Sequence, residues 1–280
     1  MIKNIRHTRE SGTSIGIKKT MASFQKGESL VEKPKPGEYT IKVANTIEER
    51  EAVFRLGYKM YLQKGYIKEN SNKWMIQNYD FNPETTILII QDNQKNIVGT
   101  VTLVFDGSTY LPAEKIYRDE LNILRNRNEK IAEISRLVVD SRFNKSKEIL
   151  LLLFNYLYIY SYHVKKYTCL AIEVNPRHIA YYQSLLDFVP IGKEKACPTV
   201  QNAPAILMYI PLVHGENKTA GLSNCSESEK NSRSLYNYFL KPEQQILAAN
   251  YLKKQIKPMT QEEKMYFGFT ESGISRAVCI

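Results

Sequence analysis

Glu133 and Arg136 stand in the run Ala132-Glu133-Ile134-Ser135-Arg136-Leu137-Val138-Val139-Asp140, an otherwise apolar stretch that reads as a strand. A strand core has no structural use for an acid and a guanidinium three residues apart, so the two charges point to chemistry. Glu133 is a candidate proton acceptor, acting directly or through water, and Arg136 would orient that acid or hold a carboxylate with its two-pronged guanidinium. A salt bridge from Glu133 to Arg136 or Arg55 that only holds the fold is the competing use. Residues three apart on a regular strand face opposite sides, so the pair can share one site only across a β-bulge. Such a bulge would also free backbone N–H groups near Leu137 and Val138 to serve as an oxyanion hole.

Directly downstream, Ser141-Arg142-Phe143-Asn144-Lys145-Ser146-Lys147 is a polar, basic turn that opens onto a strongly apolar helix. A strand, a basic turn and a helix N-terminus concentrate positive potential where an anion can sit. The combination is a charged reaction centre beside a phosphate site, which suggests transfer of a group carried on a phosphorylated cofactor. An ordinary solvated basic turn is the alternative reading of the same residues.

The elements that must position these groups follow from apolar spacing. Tyr39, Ile41 and Val43 alternate as a strand, and Asn45-Thr46 caps a helix that runs to Gly65 and carries Arg55. Tyr66–Asn82 is irregular, with Asp80 near its end. Thr85–Gln91 and Ile97–Phe105 form a hairpin across Asp92–Asn96. A helix over Ala113–Leu124, the strand Lys130–Val139, a helix from Lys147 to Lys165 and a strand Thr168–Val174 follow, then a helix after Asn175-Pro176 and strands near Val189–Gly192 and Ala205–Leu212. This order predicts an α/β fold with a mixed, mostly antiparallel sheet flanked by helices.

The expected organisation is a flexible basic leader over residues 1–37, a catalytic domain over 38–213, a polar linker over 214–228 and a small helical C-terminal extension over 229–280. Within the extension, Ser232–Leu240, Glu243–Ile256 and Thr260–Phe267 are helix candidates, the last with a Thr260/Glu263 capping-box spacing. Its aromatic residues Tyr236, Tyr238, Phe239, Tyr251, Tyr266 and Phe269 are expected to pack on the core rather than to stack on bases.

In the 280 residues, a net charge of +10 owes much to Lys3, Arg6, Arg9, Lys18, Lys19, Lys26, Lys33 and Lys35 in the leader. That distribution reads as a solvated arm, with anion attraction as the alternative, and does not assign nucleic acid as a partner. Cys169, Cys197, Cys225 and Cys279 are widely spaced, which suggests neither a zinc site nor a disulfide scaffold, so no metal is expected. The first residues lack a signal-peptide core, and the greasiest run, Ile149–Val164, is shorter than the ~20 residues that span a bilayer, so a cytoplasmic protein without a transmembrane segment is expected.

Three runs carry a family resemblance: Phe54-Arg55-Leu56-Gly57-Tyr58-Lys59-Met60-Tyr61 with Gly65-Tyr66, then Ala132 to Val139, then Ile172-Glu173-Val174-Asn175-Pro176-Arg177-His178 continuing through Tyr181 to Gly192. Over about residues 38–213 the chain resembles the GNAT acyltransferase superfamily, and within it the N-acyl amino acid synthase branch. The related acyl-homoserine lactone synthases look similar in the first two runs. The resemblance implies a GNAT-like fold and acyl transfer from an acyl carrier protein to a small amine. No tightly bound cofactor is implied; the acyl-phosphopantetheine of the carrier, or acyl-coenzyme A, is the co-substrate.

The resemblance also carries residue roles. Tyr182 matches the position of a tyrosine that protonates the departing thiolate, although a packed aromatic accounts for it equally well. Arg55 and Asp80 match an arginine and an acid near the lactone synthases' acceptor pocket. Asn175, at a strand end, would bond backbone or the pantetheine arm, and His178 reads as a surface or capping histidine. Where the acetyl-coenzyme A branch carries a glycine-rich loop, this chain has Arg142 to Lys147 without glycine, so a tight diphosphate cradle is disfavoured. Arg142, Asn144, Lys145, Ser146 and Lys147 with the helix end would instead meet the single phosphate of phosphopantetheine. The expected function is transfer of a fatty acyl group from acyl carrier protein to an amino acid amine. A coenzyme A-dependent N-acetyltransferase, a lactone synthase-like signal synthase and a non-catalytic carrier-binding module are the alternatives. An apolar tunnel for the acyl group is expected among Val101, Leu103, Leu137, Val139 and Ile149–Leu157.

Overall fold

The computed structural model describes residues 39–107, 109–143, 147–222, 234–270 and 273–274. The expected leader, Asn144, Lys145 and Ser146 of the basic turn, and residues 223–233 lie outside them.

Among the described residues, eight strands form one sheet. Strand β1 (Thr40–Val43) pairs with β2 (Thr86–Gln91), β2 with β3 (Ile97–Phe105) and β3 with β4 (Ile131–Val139), all antiparallel. The hairpin between β2 and β3 is set by Asp92, whose Oδ1 accepts from the N–H groups of Gln94 and Asn96 at 2.9 and 2.8 Å. Strand β4 pairs with β5 (Cys169–Val174) in parallel. Strand β5 is then antiparallel to β8 (Ala203–Pro211), which also pairs with the short β6 (Val189–Pro190) and β7 (Lys195–Cys197). The sheet is therefore mixed and mostly antiparallel, as expected.

One face is covered by α1 (Ile47–Gln63) and α2 (Glu114–Asn126), the other by α3 (Lys147–Ile159), which continues as a π turn over Tyr160–Val164. Thr46 caps α1 by accepting from Glu49 N. At its other end Gly65 N donates to Leu62 O at 2.9 Å and Tyr66 N to Tyr61 O at 3.0 Å, which turns the chain back and sets Tyr66 beside Tyr61. Helix α3 is buried nearly all round, from Ile149 to Ile159, because the sheet lies on one side of it and the C-terminal segment on the other. Among the described residues no helix is long and apolar enough to cross a membrane.

Residues 214–222, expected as linker, belong to helix α5 (Leu212–Leu222), which follows α4 (Ile179–Leu186) in the chain after the β6–β8 strands. The C-terminal segment wraps the sheet. Leu235, Tyr236, Phe239 and Leu240, with Ala248 and Leu252 of α6 (Pro242–Lys253), bury on the α3 face. Gln255 Oε1 then accepts from Val43 N at 2.9 Å on the edge strand β1. Finally α7 (Gln261–Tyr266), capped by Thr260 with Glu263 as expected, brings Glu263 and Phe267 to the α1 face. There Arg50 donates to Glu263 at 2.8 Å and Phe54 meets Phe267 edge to face at 5.0 Å. Tyr236, Phe239 and Phe269 pack as expected, while Tyr251 and Tyr266 are half exposed.

Candidate active site

The ladder between β3 and β4 shifts register: Thr102 faces Ser135, but Thr100 faces Val138. Arg136 and Leu137 thus share one opposing residue, and Arg136 adopts φ 44°, the left-handed conformation of a bulge. The expected irregularity is present. Its effect is parity: Glu133, Ser135 and Arg136 all turn to the α1/α2 face, while Leu137 turns to the α3 face.

The bulge does not pair Glu133 with Arg136. The guanidinium is enclosed by Asp80, to which it donates from Nη1 at 2.9 Å and Nη2 at 2.5 Å, by Met75 O at 2.8 Å and by Thr102 Oγ1 at 2.9 Å. Phe54 and Tyr79 rings lie over it, and both ionic side chains are fully buried. Asp80 completes its valences by accepting from Gln77 N at 2.8 Å. Gly57 of α1 makes room for the arginine stem, since a Cβ there would stand 3.2 Å from Arg136 Cδ. Arg136 and Asp80 are thus held by each other, by Thr102 and by backbone, and of the guanidinium only Nε lacks a partner among the described residues. A covered cation and its acid fix the bulge instead.

Glu133 has other partners. Its carboxylate accepts from Ala113 N at 3.0 and 3.1 Å, at the N-terminus of α2. Only 2% of Glu133 is exposed. Burial pushes this carboxyl well above the ordinary carboxylate range, the Ala113 N–H opposes that, and Glu173 and Glu114 add to it. Glu114 is itself neutralised by Arg125 at 2.6 Å.

Glu173 is the residue that the sequence reading passed over. It lies two positions beyond Ala171, the register partner of Glu133, and on the same face of the sheet. It is half-buried and raised by burial, against a hydrogen bond with Cys197 and the charge of Lys115. The signal was available, because a lone acid in Cys-Leu-Ala-Ile-Glu-Val breaks an apolar strand as Glu133 does. Tyr61, pushed to about 12 by burial, joins the cluster, since the charges it feels are those of Arg136, Tyr66, Glu173 and Cys197.

Between these strands the sheet opens. Pairing of β4 with β5 runs from Ile131↔Cys169 to Ile134↔Ile172 and no further among the described residues. Yet β4 continues to Val139 against β3, and β5 to Val174 against β8. Leu137 and Val138 lie in this unpaired half of β4, and Asn175 ends β5, where its Oδ1 accepts from Arg177 N at 3.3 Å. Tyr182 follows on α4, buried edge to face against Phe154, Tyr181 and Phe188, with burial raising its hydroxyl pKa.

Two expectations place differently. Arg55 does not approach the cleft: its side chain is half exposed, bonded to Glu51 one turn back at 2.6 Å and stacked near Trp74. The inward row of α1 is Arg50, Val53, Phe54 and Gly57, one helical step out of phase with Arg55. Arg142 is exposed at the end of β4 and paired with Asp140, while Lys147 opens α3. The residues expected to line a tunnel, Val101 and Leu103 among them, are close-packed against α3. An apolar crevice lies further along that face, lined by Phe154, Leu157, Leu170, Leu186, Phe188 and Tyr236.

Residues 52–211 match the family model described as N-acyl amino acid synthase FeeM. The chain belongs to this family. The structure of FeeM, an N-acyl amino acid synthase from uncultured soil microbes, is similar with 28% identity and a TM-score of 0.55, covering 62% of this chain and 91% of that one. The acyl-homoserine lactone synthase LasI is similar in fold with 15% identity and a TM-score of 0.50, covering 63% of this chain and 91% of LasI. No curated protein matches. Membership of the FeeM family makes the protein an N-acyltransferase of GNAT-like fold.

Proposed function

We propose that the protein moves a fatty acyl group from the phosphopantetheine thioester of an acyl carrier protein to the amine of an amino acid or similar small amine. The observation that carries this reading is the fork between β4 and β5 beyond Ile134 and Ile172, with the bulged strand on one side and Asn175 on the other. An extended pantetheine arm can add along an unpaired strand edge. The glycine-free turn at Arg142–Lys147 favours a single phosphate over a diphosphate.

In this mechanism the thioester carbonyl lies at the unpaired half of β4, where N–H groups near Leu137 and Val138 receive the developing oxyanion. The neutral amine attacks the carbonyl carbon from the α1 face, the C–N bond forms, and the amine proton passes to a carboxylate. Glu173 is the accessible acceptor, its basicity raised by burial, and its charge in turn raises Glu133, closed in behind it. Collapse breaks the C–S bond, and the thiolate takes a proton from Tyr182 or from the acid just protonated. The test is product analysis by mass spectrometry with matched acyl-carrier-protein and acyl-coenzyme A donors and a pool of amino acids. Acyl amides formed at least ten times faster from the carrier donor support the reading. Equal or greater rates from coenzyme A overturn the donor assignment, and no amide from either overturns the reaction.

A further inference from the structure

The C-terminal segment carries an outer surface unlike the rest of the protein. Ten large apolar side chains are markedly exposed among the described residues, and six of them, Ile246, Leu247, Tyr251, Ile256, Met265 and Tyr266, lie on this wrap. Helix α6 concentrates them. Its inward row is Gln245, Ala248, Ala249 and Leu252, of which the last three join the core beneath α3. At 3.6 residues per turn the opposite arc holds Ile246, Leu247 and Tyr251, which are 56%, 63% and 50% exposed. A helix on the surface of a soluble protein turns its polar side outward, whereas α6 is apolar on both sides.

Lysines border that arc. Lys241, Lys253, Lys254 and Lys257 are exposed, against one acid, Glu243, in the first turn of α6. None of the four has a carboxylate partner among the described residues, whereas Lys42, Lys165 and Lys195 each have one. Two aliphatic side chains, a tyrosine and unpaired lysines on one short helix are the set that an anionic lipid surface recruits. The aliphatic pair enters the acyl boundary, and the tyrosine keeps its hydroxyl among the headgroups. The lysine stems lie along apolar surface with their ammonium groups on phosphate. A protein partner fits less well. Stable interfaces bury about 1,200–2,000 Å² and are depleted in lysine, and three half-exposed side chains supply only a fraction of that area.

We propose that the outer face of α6 docks the protein on an anionic lipid membrane, with Ile246, Leu247 and Tyr251 among the headgroups and Lys241, Lys253, Lys254 and Lys257 on their phosphates. The contact is peripheral, because α6 has 12 residues and a bilayer span needs ~20. It also suits the reaction proposed above, without resting on it: an acyl amide with one fatty tail is an amphiphile that partitions into the same bilayer.

Co-sedimentation of the full chain with vesicles tests the dock without turnover, using phosphatidylcholine alone and phosphatidylcholine mixed with an equal part of phosphatidylglycerol. The wild type should bind the mixed vesicles roughly tenfold more tightly or better, and the preference should shrink as salt rises. Ile246→Asn with Leu247→Asn should cut that binding roughly tenfold or more. Lys241→Gln, Lys253→Gln, Lys254→Gln and Lys257→Gln together should cut it roughly 100- to 1,000-fold, at about fivefold for each lysine near a charged surface. Thermal unfolding of both variants should stay near that of the wild type, since the replaced side chains face solvent. No binding to the mixed vesicles, or equal binding to both compositions, overturns the proposal. So does binding that survives both variants and disappears when residues 1–37 are deleted, which gives it to the leader. A dimer abolished by Ile246→Asn with Leu247→Asn, without vesicle binding, overturns it in favour of a second copy. A raised KM for an acyl carrier protein, again without vesicle binding, overturns it in favour of the carrier.

Discussion

Arg136 and Asp80, 56 residues apart in sequence, share two hydrogen bonds with both side chains wholly out of solvent. The pair joins the bulge of β4 to the turn at Asn78–Phe81, so it determines where the strand carrying Glu133 can lie. Breaking one partner strands the other charge. Arg136→Met or Asp80→Leu should each cost about 3–5 kcal/mol in urea unfolding, and the double variant should be less destabilised than either single one. Additive losses would show that the two do not act as a pair.

Glu173→Gln should lower turnover by roughly two orders of magnitude, the usual scale of general-base catalysis. Because burial raises Glu173, the wild-type rate should climb with pH through a limb above the ordinary carboxylate range. That limb should vanish in the variant. A wild-type limb retained in Glu173→Gln and lost in Glu133→Gln would move the base to Glu133.

Glu133 predicts stability with a defined sign. Its folded-state pKa lies above the unfolded value, so its contribution is full below about pH 4.3 and is lost as pH rises through the folded value. Glu133→Gln keeps an acceptor for Ala113 N and removes the charge. The variant should therefore gain on the wild type by about 1.4 kcal/mol for each pH unit in that window, read from denaturant melts at several pH values. A constant difference across pH would show that Glu133 titrates in the fold as it does in the unfolded chain.

The donor turn gives a fourth expectation. Arg142→Glu with Lys147→Glu should raise KM for an acyl carrier protein at least tenfold and leave kcat near its original value, with the effect shrinking as salt rises. Deletion of residues 1–37 should matter less. The reverse order would assign carrier docking to the leader.

The bulge was legible because strand parity is a local rule: two charges on one apolar strand demand it. Arg55 misled for an equally local reason. A lone arginine in an apolar helix looks inward, but the phase of α1 is fixed by Arg50, whose acid, Glu263, stands 213 residues away. Glu173 could have been found by the reasoning applied to Glu133. Helix α5 was hidden by Gly215, which reads as a breaker but serves packing, since a Cβ there would meet the Tyr158 ring at 2.7 Å.

The wrap of the C-terminal segment from the α3 face, past β1, to α1 makes the described chain a closed circuit. Its contacts, such as Val43 with Gln255 and Arg50 with Glu263, join its beginning to its end. Loop-closure entropy grows only slowly with length, about 0.6 kcal/mol per doubling, so this late closure is affordable but must wait for the sheet to form. A chain clipped before Gln255 therefore loses the bond that caps Val43 N on the edge strand β1. Clipping the C-terminal segment should thus leave β1 a readier template for a passing strand, a hazard that the closed circuit lessens.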